Sequence, residues 1–172
     1  MKPSRLLPLL AALLLAAGCQ TPTPPLPAAS VDGRVTVIFD KPDEFTDAKS
    51  SYNMGTDQGY LDVLHRYIDR ESRVYLADGQ RLTVTFTDID LAGDFRPDRA
   101  RADNIRIIKE IYRPRLQFSY SVADATGKVI NSGEENLTDM NFMSRLRMSH
   151  SEELFYEKAM LKDWMGAKLH KN

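Results

Sequence analysis

Apolar and polar residues alternate along three segments of the chain, which is the pattern of strands with one buried face. The clearest alternation covers residues 82–86, where the apolar residues are separated by threonines. The same two-residue period occurs over residues 35–39 and 116–122. Residues 124–127 (Asp-Ala-Thr-Gly) then have the composition of a tight hairpin loop. Residues 128–137 are therefore predicted to return as the partner strand.

The apolar phase of the second strand slips after Phe86, because Ile89 and Leu91 fall on odd positions. A slip of one residue would carry every later side chain to the other face of the sheet. A β-bulge or bend near Asp88 would absorb the slip and is predicted there. A further extended segment is predicted from four β-branched residues, Ile105, Ile107, Ile108 and Ile111.

Two segments have the spacing of amphipathic helices. The first is predicted over residues 58–76, with Asp57 as its N-cap. The second is predicted from about Glu152 to Leu169, because Ser149 and Glu152 have capping-box spacing. This order of elements predicts an α+β fold, an antiparallel or mixed β-sheet of about four to five strands with two helices packed on one face.

The first 18 residues have the three zones of a secretory signal peptide. A basic start precedes an apolar stretch over residues 6–17, which is shorter than the roughly 20 residues that span a bilayer. Small residues then precede Cys19, the one cysteine in the chain. This arrangement resembles the lipobox of bacterial lipoproteins, which implies that the Cys19 thiol is lipidated and that the peptide is cut before it.

Three parts of the chain are thus predicted: a lipoprotein signal peptide over 1–18, a lipidated Cys19 with a Pro-rich tether over 19–33, and a single α+β domain over 34–172. Four prolines in the tether favour an extended polyproline II conformation, which would hold the domain roughly 35 Å from the membrane. Lipoproteins with Asp after the cysteine tend to stay in the inner membrane of Gram-negative cells. The resemblance therefore implies that Gln20 directs this protein to the outer membrane, facing the periplasm.

The composition, with 42% hydrophobic residues and a net charge of −1, excludes a disordered chain, and a single cysteine excludes a disulfide scaffold. Basic residues nevertheless concentrate between positions 96 and 115, where they outnumber acidic ones by seven to three. These seven possible contacts for an anionic partner are Arg96, Arg99, Arg101, Arg106, Lys109, Arg113 and Arg115. The window predicts either a surface for an anionic envelope polymer or acidic protein, or pairing with the domain's own carboxylates. Export excludes nucleic acid as the partner.

Asp88, Asp90 and Asp139 form a possible polar site, because paired carboxylates can act as acid and base. Residues 88–93 resemble the start of a calcium loop but lack its later ligands, since the twelfth position is Arg99 instead of Glu. The three histidines do not have the spacing of a zinc helix. No metal, cofactor or catalytic residue is therefore predicted.

Four segments resemble the bacterial domain-of-unknown-function 3016 family of small exported or lipid-anchored proteins. They are 85–95 (TFTDIDLAGDF), 111–120 (IYRPRLQFSY), 137–142 (LTDMNF) and 156–164 (YEKAMLKDW). The family has no established activity, so the resemblance implies no catalytic residues. The sequence predicts a lipid-anchored lipoprotein acting as a non-catalytic binding or envelope-assembly module. The alternatives are an envelope hydrolase using Asp carboxylates and a binder of anionic envelope ligands through residues 96–115.

Overall fold

The fold comes from a computed structural model that describes residues 33–51, 55–95, 105–146 and 152–169. Within these ranges, the strands and helices in chain order are β1 (Val35–Phe39), α1 (Gln58–Ser72), β2 (Arg81–Asp90), β3 (Asp94–Phe95), β4 (Arg106–Ile107), β5 (Arg115–Ala123), β6 (Val129–Thr138) and α2 (Phe155–Lys168). Two short 3₁₀ helices, Pro42–Glu44 and Phe142–Ser144, follow β1 and β6. Neither α1 nor α2 has the length and apolar content needed to cross a bilayer, which is a statement about the described ranges alone.

A four-stranded mixed sheet with the order β1-β2-β5-β6 forms the body of the domain. β1 and β2 run parallel, and α1 makes the crossover connection that parallel neighbours require. β2 with β5 and β5 with β6 are antiparallel, and the predicted hairpin loop joins the second pair. β3 and β4 form a separate two-stranded sheet. The α+β prediction is confirmed, with a mixed sheet.

Both helices pack on the apolar face of this sheet. Trp164 of α2 meets Phe118 and Tyr120 of β5 edge-on, with ring centroids 4.8 and 5.3 Å apart. Leu64 and Ile68 of α1 are fully buried in the same core. Because successive side chains of a strand point to opposite faces, the other face carries the polar residues that alternate with this core.

The predicted bulge lies where the apolar phase slips. The register between β2 and β5 shifts between Phe86 and Asp88. Ile89 therefore stays in the core, with no exposed surface. Asp88 and Asp90 fall on the opposite face, where Asp90 is paired in register with Arg115.

The helix boundaries differ from the predicted ones. Asp57 caps α1 as expected, accepting a hydrogen bond from the Gly59 N–H at 2.7 Å. However, α1 ends at Ser72 instead of residue 76. α2 begins at Phe155 instead of Glu152, and its N-cap residue is Leu154 in a left-handed conformation with φ +51°. Ser149, the predicted cap, lies outside the described residues.

The isoleucine-rich segment is only partly extended. Strand β4 covers two of its residues, Arg106–Ile107. Ile111 instead lies in a turn and is 70% exposed. Isoleucine favours strands because it packs well against a pleated surface, and only the short β3 is available as a partner here.

Candidate functional site

An open cleft of about 530 Å³ lies where β2, β5 and β6 meet the loops at one end of the sheet. Three segments and one strand end supply its lining. The lining residues are Thr46, Asp47, Lys49, Asp90, Leu91, Gly93, Asp94, Phe95, Ile111, Tyr112, Arg113, Arg115 and Thr138. Three acidic and three basic side chains are among them, so this is a polar cleft with balanced charge.

Arg115 holds the two carboxylates of β2 at the border of this cleft. Its Nη2 lies 3.0 Å from Asp88 Oδ2 and 3.9 Å from Asp90 Oδ2. Asp88 also accepts hydrogen bonds from the Thr46 N–H at 2.8 Å and from the Thr46 hydroxyl at 2.9 Å. Asp88 and Asp90 can share one cation because residues two apart on a strand face the same side.

Asp90 has a raised pKa, and the main cause is its partial burial. The nearby carboxylates of Asp47 and Asp88 raise this pKa further, while Arg115 and Arg106 oppose the increase. Burial penalises the charged form of a carboxyl group, and neighbouring negative charges do the same. Both effects favour the protonated form of Asp90.

Arg106 forms its contacts within the domain. Its two terminal nitrogens bind the two carboxylate oxygens of Asp47 at 2.9 and 3.0 Å. The same nitrogens donate to the carbonyl oxygens of Gly93 and Lys49, and the guanidinium carbon lies 4.5 Å from the ring centroid of Phe95. This side chain joins β4 to the segment after β1 and to the loop after β2.

Asp139 is separated from the other two predicted carboxylates. Its Oδ2 accepts a hydrogen bond from Arg145 Nε. The Arg145 Nη2 in turn lies 2.8 Å from Asp163 Oδ2 on α2. Asp139 thus helps to tie the end of β6 to α2, and the structure brings together only Asp88 and Asp90.

The remaining predicted cations are distributed unevenly. Arg113 lies in the cleft lining, and its Nη1 contacts the sulfur of Met140. Lys109 is exposed on the turn before it. Four of the predicted site residues lie outside the described ranges, Cys19, Arg96, Arg99 and Arg101. Lys49, which sequence reasoning did not single out, adds a further cation to the cleft.

Gly93 allows the loop after β2 to pack against the β4 segment. Its φ is +88°, a backbone conformation that side chains disfavour. A Cβ at this position would lie 2.6 Å from the Ile108 Cδ1 and 2.9 Å from the Ile107 carbonyl oxygen. Glycine is therefore required here for both conformation and space.

Glu157 is a buried carboxyl group that the sequence prediction missed. It is 2% exposed, and its Oε1 accepts a hydrogen bond from the Ala92 N–H at 2.7 Å. Burial raises the pKa of Glu157, and the Ala92 hydrogen bond opposes this increase. A second cavity of about 210 Å³ lies beside it. Its burial could have been predicted from helical spacing, because Glu157 lies four residues before Leu161 and seven before Trp164, on the apolar side of the helix.

Glu157→Gln is expected to stabilise the protein increasingly as the pH rises above about 4.5. In this range the unfolded carboxyl group ionises before the folded one, so the wild-type free energy of unfolding falls with pH. Glutamine does not titrate and keeps an acceptor for Ala92. Urea denaturation from pH 4 to pH 9 should show a gain that reaches about 1 kcal/mol or more at the alkaline end. Glu153→Gln, at an exposed position, is the matched control and should show no such trend. A gain that shrinks with rising pH would contradict the assignment.

Metal binding finds no support in the described ranges, where no group of three or more His, Cys, Asp or Glu side chains is placed to hold an ion. The cleft can hold a polar ligand through its cations, hydroxyl groups and exposed carboxylate edges.

Comparison with known proteins places the described domain in a family. A family model described as "Protein of unknown function (DUF3016)" matches residues 33–167. Comparison with curated proteins finds no match. A solved structure of a minor lipoprotein from Acinetobacter baumannii is similar with a TM-score of 0.31 and 9% sequence identity, covering 77% of this chain and 86% of that chain.

Proposed function

The chain belongs to the DUF3016 family, and because that family brings no activity with it, we propose a function from the residues themselves. The protein is a lipid-anchored lipoprotein of the cell envelope, and its domain is a non-catalytic binding module. The export signal and the lipobox-like residues before Cys19 support the anchor. Gln20 supports sorting to the outer membrane, with the domain facing the periplasm.

The way the candidate carboxylates are used favours binding over catalysis. Asp88 accepts three hydrogen bonds, from Arg115 and from two atoms of Thr46. Asp47 is held by Arg106, and Asp139 is held by Arg145. A general acid or base must reach the substrate with a free proton or lone pair. Asp90 lines the cleft 3.9 Å from Arg115, and Asp94, which also lines it, accepts a hydrogen bond from the Phe95 N–H at 2.7 Å.

A second, narrower proposal is that the cleft takes an anionic group. Lys49 and Arg113 both line it, and neither forms an ion pair with any residue that the structure describes. Of the three acidic lining residues, Asp47 and Asp90 face Arg106 and Arg115, and Asp94 accepts a hydrogen bond from the Phe95 N–H. The two unpaired cations could therefore receive a phosphate or carboxylate group, with the hydroxyls of Thr46 and Thr138 beside them. Lipid phosphates, lipopolysaccharide, peptidoglycan carboxylates and acidic proteins all carry such groups.

Titration of the detergent-solubilised full chain with tripolyphosphate tests this proposal by calorimetry. We expect binding that weakens as salt rises, because salt screens exposed charges. Changing both Lys49 and Arg113 to alanine should weaken binding at least tenfold. Lys162→Ala, which removes an exposed cation of α2 away from the cleft, is the matched control and should leave the affinity within twofold. Binding that is unaffected by the double change would remove the anionic-ligand proposal and leave the anchor untouched.

A further inference from the structure

Strand β6 is the last strand of the sheet and has a free outer edge. It covers ten residues, Val129–Thr138, and β5 is its neighbour on one side only. On the outer side, the main-chain groups of β6 form no backbone hydrogen bond with any described residue. A ten-residue strand spans about 33 Å and presents a row of donors and acceptors that can pair with another extended chain.

A groove of about 450 Å³ runs beside this edge, between β6 and α2. Its apolar floor consists of Leu137, Met160 and Trp164. At one end, Arg145 bridges Asp139 to Asp163. At the other end, the amide of Asn131 donates to the Lys168 carbonyl at 2.9 Å, and the Lys168 ammonium pairs with Glu135 at 3.1 Å. These polar contacts join β6 to α2 at both ends of the groove.

Trp164 supplies an unused polar group beneath the groove. The side chain lines the groove, yet its indole N–H is buried without an acceptor among the described residues. A buried donor without a partner is unfavourable relative to a paired one. The floor therefore offers apolar contact, and this donor is buried beneath it.

The charges along β6 indicate what kind of strand fits its edge. Glu134 is exposed on the sheet face opposite the helices. A second copy of β6 could pair with this edge in an antiparallel, two-fold arrangement. Paired residues then lie on the same face of the sheet, and Glu134 lies near the centre of β6. Pairing centred on the strand would therefore place the two Glu134 side chains opposite or close to each other. Like charges in that position are destabilising. A strand with Lys or Arg opposite Glu134 has the complementary charge.

We propose that the β6 edge and the adjoining groove bind an extended segment of another protein, added to the sheet as a fifth strand. The segment carries a basic residue that lies opposite Glu134 on the open face. Because alternate side chains of a strand point to opposite faces, the residues on either side of it are apolar and enter the groove against Leu137, Met160 and Trp164. Main-chain hydrogen bonds supply affinity, and the alternation supplies selectivity. This surface is separate from the cations of the cleft.

A fluorescent ten-residue peptide that alternates Lys and Val tests this surface by anisotropy, with the full chain in detergent micelles. The wild-type protein should bind it at micromolar to millimolar concentrations. Ala167→Trp, which fills the groove from an exposed position of α2, should weaken binding at least tenfold. Lys162→Trp is the matched control on the same helix and should stay within twofold. Glu134→Lys should weaken binding at least tenfold through charge.

A peptide N-methylated at every second residue separates strand pairing from charge attraction. It keeps the charge and the apolar side chains but loses main-chain donors along one edge, so it should bind at least tenfold more weakly. Equal binding of the methylated peptide, or no binding of the parent peptide at 1 mM, would overturn the proposal. Self-association of the wild-type protein that Ala167→Trp abolishes would also overturn it, because it would identify a second copy as the occupant.

Discussion

Replacing Cys19 with alanine is expected to remove the protein from the membrane fraction. The proposed anchor is covalent lipid on the Cys19 thiol and on the amino group exposed by cleavage. Each buried CH₂ contributes about 0.8 kcal/mol, so two or three acyl chains hold a protein durably where one holds it only marginally. Alanine cannot carry the thioether-linked lipid. We therefore expect loss of radiolabelled palmitate incorporation and loss of membrane sedimentation after carbonate washing, measured in a Gram-negative host.

Gln20→Asp is the matched control for this experiment. It preserves the thiol next to it, so palmitate incorporation should persist. The resemblance to sorted lipoproteins implies that the variant then moves from outer-membrane to inner-membrane density in a sucrose gradient. A Cys19→Ala protein that still fractionates with the outer membrane would contradict the anchor. A natural product whose mass shows a free thiol, or a retained leader, would contradict it as well.

β1, β2 and β5 could be predicted from the sequence because each has a local period of two, and β6 followed from the hairpin loop before it. The slip between Phe86 and Ile89 is visible in the residue order, and the bulge that it predicts appears in the pairing of β2 with β5. The same parity explains the position of Asp139. Thr138 is paired with Arg115 on the face of the sheet that holds Asp88 and Asp90. Asp139 comes one residue later and therefore turns the other way, towards Arg145.

The polar contacts between distant segments could not be predicted in this way, because local periodicity covers only neighbouring residues. Arg106 and Asp47 are 59 residues apart, and Glu157 and Ala92 are 65 apart. Local periodicity contains no information about which distant charge will meet another. The predicted start of α2 was wrong for a related reason. Leu154 adopts a left-handed φ, which neither the leucine side chain nor the neighbouring residues indicate.

The basic window over residues 96–115 shows that a count of charges does not predict which contacts each side chain makes. Its excess of Arg and Lys is evident from the residue count, but the fold uses those side chains for different purposes. Arg106 is 15% exposed and binds within the domain, while Arg113 is exposed at the cleft. A count of charges treats the two alike. Only their contacts distinguish a residue that stabilises the fold from one that can receive a ligand.

Arg106→Ala is expected to lower the free energy of unfolding by about 3 kcal/mol. The change removes four hydrogen bonds, to Asp47, Gly93 and Lys49. It also leaves the Asp47 carboxylate, whose side chain is 17% exposed, without its cation. An uncompensated charge in a largely buried site costs more than the lost pair contributed. Urea denaturation of the full chain in detergent, at constant pH and salt, measures the loss.

Arg106→Lys separates charge from geometry in this pair. Lysine keeps the positive charge but cannot bind both oxygens of Asp47 in parallel or stack flat on Phe95, so it should recover only part of the loss. Arg113→Ala is the matched control, because Arg113 is an exposed arginine of the same basic window, and it should change stability by less than about 0.5 kcal/mol. If Arg106→Ala were as mild as Arg113→Ala, Arg106 would not be the residue that joins β4 to the rest of the domain. A different outcome is that Arg106→Ala lowers the free energy of unfolding while Arg106→Lys keeps the wild-type value. That result would show that charge alone, without the paired hydrogen bonds, holds the loop after β2 against the segment around Asp47.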